Sequence, residues 1–131
     1  MRFAVIGGGA LPEIEIMITH SKKKALKAIR RFSGDAGVED YEALVNMQAT
    51  TSALRDRKTG TRLYVVWMTP CTDYSASTDV ALLAHEAVHV AQDYFREIGE
   101  DSPSDELYAY VVQDIVQHLV GEHFAWKKRH I

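Results

Sequence analysis

The sequence predicts a single α+β domain spanning residues 1–131. Three observations carry that expectation. Glu13–Thr19 and Thr61–Thr69 are patterned as strands, and two long capped helical stretches follow from Val80 onward. The 131 residues also suffice for one hydrophobic core without a disulfide or a structural metal.

Taken in order, Phe3–Ile6 reads as a short strand ended by Gly7-Gly8-Gly9. The three glycines lack the G-x-G-x-x-G spacing and no Gly-Lys-Ser/Thr follows, so they read as a turn and not as a phosphate loop. Glu13–Thr19 alternates as a strand with one wet face. Ser21 caps a helix over Lys22–Phe32, with Ala25, Leu26, Ile29 and Phe32 as its inward stripe. Gly34, Asp35 and Gly37 end it. Tyr41–Ala49 reads as a strand, with Thr51–Arg55 as its continuation or a bend. Asp56–Gly60 is a turn signal before Thr61–Thr69, so a hairpin is expected across residues 56–60. After the Pro70–Thr78 loop, Ser77 or Thr78 caps a helix running to about Ile98, where Gly99 stops it. Ser104 caps a final helix from Asp105 to about Phe124, its first turn acidic as the helix dipole favours, and Trp126–Ile131 reads as a frayed tail.

Composition narrows the function classes. Apolar content of 47% with 25% charged residues describes a soluble globular chain, and a formal charge of −3 gives no global reason to expect nucleic acid. Six basic residues at 22, 23, 24, 27, 30 and 31, with no acidic neighbour, read as a solvated helix face, with an anionic partner as the alternative. Cys71 is the single cysteine, so no intramolecular disulfide forms. The N-terminal apolar run breaks at Gly7 before Glu13 and Glu15, unlike a secretion signal, and no stretch reaches the length of a membrane span. The expected location is the cytoplasm.

His85-Glu86-Ala87-Val88-His89 carries the chemistry. Four helical residues return to nearly the same face, so both imidazoles can point at one metal ion. Glu86 sits one residue round, placed to handle a metal-activated water as general base. Catalytic zinc takes three protein ligands, and Glu106, 17 residues after His89 in the first turn of the final helix, is the best candidate for the third. Asp93 is an alternative as a supporting carboxylate or ligand; His118 and His123 look too distant if Glu106 is in place. Tyr110, one turn after Glu106, is placed to stabilise a developing oxyanion, with Tyr108 and Gln113 as weaker alternatives. The Leu63–Thr69 strand is expected to offer an exposed edge to an extended peptide.

These residues resemble the zincin metallopeptidases, in the branch whose third ligand is a glutamate on the helix after the motif helix. His85–Gln92 together with Asp105–Gln113 is also similar to small zincin-like proteins of phages and prophages. The resemblance covers residues 78–120. It implies zinc held by His85, His89 and Glu106, Glu86 as general base, and a small antiparallel or mixed sheet packed on the motif helix and the C-terminal helix. The longer metzincin pattern is absent after His89. The expected function is therefore a zinc-dependent peptidase or amidase acting on a peptide or protein substrate. The alternatives are a catalytically inactive structural or protein-interaction module and, less favoured, a nucleic-acid-associated one.

Overall fold

The computed structural model describes residues 3–9, 11–33, 48–69 and 75–130. The chain divides into two compact units, one of Met1–Val5 with Ile14–Pro70, the other of Ile6–Glu13 with Cys71–Ile131. The expected helix end at Gly34–Gly37, the strand over residues 41–47 and most of the loop from Pro70 lie outside the described residues.

Among the described residues the first unit holds four strands, β1 (Ala4–Ile6, whose last residue falls in the second unit), β2 (Ile14–Thr19), β3 (Ala49–Arg55) and β4 (Arg62–Met68), and one helix, α1 (Lys22–Ser33). The sheet order is β1-β2-β4-β3, with β2 parallel and β3 antiparallel to β4, so the sheet is mixed and the fold is α+β as expected. Ser21 caps α1 as predicted, its Oγ accepting from the Lys24 N–H at 3.2 Å. Ala25, Ala28 and Ile29 bury the inner face of α1 against Met17, Leu54, Leu63, Val65 and Trp67. The hairpin also forms as expected. Asp56 N–H donates to the Thr61 carbonyl, and Gly60 takes a φ of 75° that a residue with a Cβ adopts only with strain.

One expectation is corrected here. β4 is not an edge strand but lies between β2 and β3, and its residues from Leu63 to Met68 are buried on both faces. Its run Leu-Tyr-Val-Val-Trp-Met is nearly continuous in apolar character, which is the signature of a central strand. Both rows of its backbone groups are already engaged, so it cannot add an extended peptide.

The second unit is built on two long helices, α2 (Ala76–Glu97) and α3 (Asp105–Arg129). Ser75, and not Ser77 or Thr78, caps α2 by accepting from the Thr78 N–H. Gly99, at φ 75°, ends it in a Schellman arrangement, with Gly99 N–H on the Arg96 carbonyl and Glu100 N–H on that of Phe95. Ser104 caps α3 as predicted. The helix runs on to Arg129, so Trp126–Arg129 of the expected frayed tail form its last turn, while residue 131 lies outside the described residues. Buried residues recur every fourth position on both helices, Leu83, Ala87, Ala91 and Phe95 on α2 and Val111, Ile115, Leu119 and His123 on α3. This is the ridge spacing of close helix packing. The antiparallel pairing is fixed at its ends by stacking of Phe95 on Tyr108 (centroids 5.4 Å apart) and by a bond of 2.8 Å between His123 and Asp79.

Candidate metal centre

The motif lies in the middle of α2, away from both capped ends, so its backbone is held by the full helical ladder. The ring nitrogens His85 Nε2 and His89 Nε2 stand 3.0 Å apart, with centroids separated by 4.7 Å. Two nitrogens on one tetrahedral zinc, each at about 2.0–2.1 Å, stand about 3.4 Å apart. The pair is therefore close to a two-ligand geometry before any ion arrives. A ligand oxygen of Glu86 joins them, all three donor atoms lying within 4.8 Å of one another. The His85-Glu86-His89 group thus resembles an HExxH metal-binding arrangement, and its imidazole and carboxylate donors suit zinc and several other divalent ions.

Burial separates the three residues. Both histidines are exposed, so an ion held between them would face solvent. Glu86 is buried, on a second stripe of α2 that continues through Val90 and Tyr94. Tyr94 anchors that stripe by donating from its hydroxyl to the Pro12 carbonyl, and burial raises its own pKa.

Glu106 lies exposed in the first turn of α3, outside the group of donor atoms that stand close together. Helix geometry gives the reason. His85 and His89 each follow a residue of the α3-facing ridge, Leu83 and Ala87, by two positions, or about 200° around α2. They therefore face away from α3. Tyr110 is 60% exposed, one turn along α3 from Glu106, and makes no hydrogen bond among the described residues. Asp93 is one further turn along α2 from His89 and half-buried. His118 is half-buried on α3, its pKa lowered by desolvation against a smaller opposing effect of Glu122.

A second polar cluster escaped the sequence reading. Asp79, fully buried, accepts through Oδ2 from His123 at 2.8 Å and from Lys127 at 2.9 Å. Burial alone would raise the Asp79 carboxyl, but its hydrogen bonds to His123 and Lys127, and then their charges, outweigh that and hold it below the ordinary value. The four-residue step from His123 to Lys127 on α3, opposite an acid in the first turn of α2, was the available signal.

A groove of about 720 Å³ runs between α2 and α3, with Val88 on one wall and Tyr108, Val112 and Val116 on the other, and Gln113 and Gln117 as its polar groups. No helix of the described residues is long and apolar enough to cross a membrane. No protein-family model, curated protein or solved structure matches the chain.

Proposed function

We propose that the chain is a zinc-dependent peptidase or amidase of zincin type. The observation that carries this reading is the paired, solvent-open imidazoles of His85 and His89 with the Glu86 carboxylate beside them. Zinc bound there would supply Lewis acidity and lower the pKa of an adjacent water. In that reading Glu86 would serve as general base for a water adding to the substrate carbonyl and would return the proton to the nitrogen as the C–N bond breaks, a role its buried position favours by keeping bulk water from competing. Val88, exposed between the two histidines in sequence, lines the apolar groove, so an apolar substrate side chain has a place to lodge.

Two carboxylates compete for the third ligand position. The resemblance assigns Glu106, which a metal would have to draw together with the histidines; Tyr110, on the same face of α3, would enter the site with it. Glu86, already beside the histidines, favours a second reading in which it is itself a ligand and the centre binds metal without hydrolysis.

Elemental analysis of the purified wild type, His85→Ala, Glu86→Gln and Glu106→Ala separates these. Peptidase chemistry predicts about one zinc per chain in the wild type, loss in His85→Ala, retention in Glu86→Gln, and loss of peptide hydrolysis in Glu86→Gln. Loss of zinc from Glu86→Gln makes Glu86 a ligand and supports the non-hydrolytic reading. A wild type that binds no zinc even when supplied with it sinks both.

A further inference from the structure

The formal charge of −3 averages two unlike units. The sheet-bearing unit holds eleven Lys and Arg against six Asp and Glu, a formal +5, while the helical unit holds four against twelve, a formal −8. The net charge that argued against nucleic acid therefore describes neither unit.

Within the basic unit the excess is concentrated on α1. Lys22, Lys23, Lys24, Lys27, Arg30 and Arg31 are all exposed, and residues 21–33 contain no acidic residue. None of the six forms an ion pair among the described residues. At about 100° per residue, Lys23, Lys24, Lys27, Arg30 and Arg31 fall on one arc of roughly 120°, opposite the buried Ala25 and Ile29, and span about 12 Å of helix axis. Arg31 is held outward with its guanidinium 5.2 Å from the centroid of the Phe32 ring.

Folding of this unit does not call for such an arrangement. Three lysines occupy the first turn of α1, where the helix dipole opposes positive charge. The other two helices among the described residues follow the dipole, with Asp79 in the first turn of α2 and Asp105 and Glu106 in that of α3. The face also exposes no large hydrophobic residue, those exposed among the described residues being Val5, Val80, Val88 and Tyr110, so α1 itself has nothing to insert into a lipid surface or to anchor a protein partner. A dense row of cations without apolar contacts fits a phosphodiester backbone, where affinity comes from neutralised phosphates and released counterions.

We propose that the outer face of α1 binds the phosphate backbone of a nucleic acid without reading its sequence. The test is fluorescence anisotropy of a labelled 20-base-pair DNA duplex of arbitrary sequence, titrated with the full chain at several salt concentrations. The expected wild-type slope of log affinity against log salt is about −4 to −5, for five neutralised phosphates. Lys23→Gln/Lys27→Gln/Arg30→Gln/Arg31→Gln, its fold checked by circular dichroism, is expected to lose at least about tenfold in affinity at low salt and most of the slope. Lys23→Arg/Lys27→Arg should retain binding, and so should Lys128→Gln/Arg129→Gln, which removes charge from the acidic unit instead. The proposal is overturned by no duplex binding at about 50 mM salt, by full binding in the quadruple variant, or by equal loss in the Lys128/Arg129 control. Binding to phosphatidylserine vesicles but not to the duplex would likewise overturn it in favour of a lipid surface.

Discussion

At the residue scale the chemistry depends on which carboxylate does what around two fixed imidazoles. His85 and His89 are placed by helix periodicity alone, and their 3.0 Å separation needs no support from a distant element. His89→Ala is therefore expected to lose zinc as completely as His85→Ala, and equilibrium dialysis against buffered zinc checks it. Glu86→Gln keeps the shape of the side chain and removes its basicity. If Glu86 is the general base, hydrolysis should fall by about 10²–10⁴ while zinc affinity changes little, the usual contribution of a positioned base. Glu106→Ala measures a different quantity. Retained zinc there would leave His85 and His89 as ligands and move the third position away from α3, as the orientation of the histidines favours.

At the scale of elements, the α2–α3 pair is clamped where Asp79 meets His123 and Lys127. Asp79→Ala leaves a buried imidazole facing a cavity, and losing one partner of a buried ion pair costs about 3–5 kcal/mol. Chemical denaturation should show a loss of that order. The same group sets an acid limit. The folded-state pKa of Asp79 lies below its ordinary value, so its stabilisation is complete above the unfolded value and fades as pH falls through the folded one. Melting temperature measured downward from pH 6 should drop below about pH 4, and Asp79→Asn should flatten part of that drop. Loss of a cap is a smaller effect, with Ser104→Ala expected to cost about 1 kcal/mol. Most elements were legible because their signals are local. Ser21 and Ser104 as caps, Gly99 as a stop and the Asp56–Gly60 turn all act within a few residues. Pairing across the sheet is not local. Nothing in Arg62–Met68 states which strands flank it, although its unbroken apolar run marks a strand buried on both faces, and the edge reading missed that mark. The Asp79–His123 bond was hidden for the same reason, since 44 residues separate its partners. In the site, sequence gave the spacing of His85, Glu86 and His89, whereas the orientation of that stripe away from α3 depends on which ridge of α2 packs, a tertiary fact.

At the scale of the whole molecule, charge is divided so that the candidate metal centre lies in the unit of formal charge −8. An acidic surround raises the local concentration of divalent cations and speeds their capture, an effect that salt screens. Binding to the folded chain alone must also stabilise it. At free zinc about 100 times the dissociation constant, the gain is about 2.7 kcal/mol, which for a domain of this size raises the melting temperature by several degrees. Calorimetry with and without zinc should show that rise in the wild type and in Glu106→Ala if the third ligand lies elsewhere, and no rise in the double variant His85→Ala/His89→Ala. Because the motif is within α2, hydrogen exchange should slow on zinc addition in residues 80–95 before it slows in β2 or β4. An undiminished thermal shift in the double variant would place the bound ion away from the motif, and the hydrolytic reading would fall with it, whatever the metal content of the purified protein.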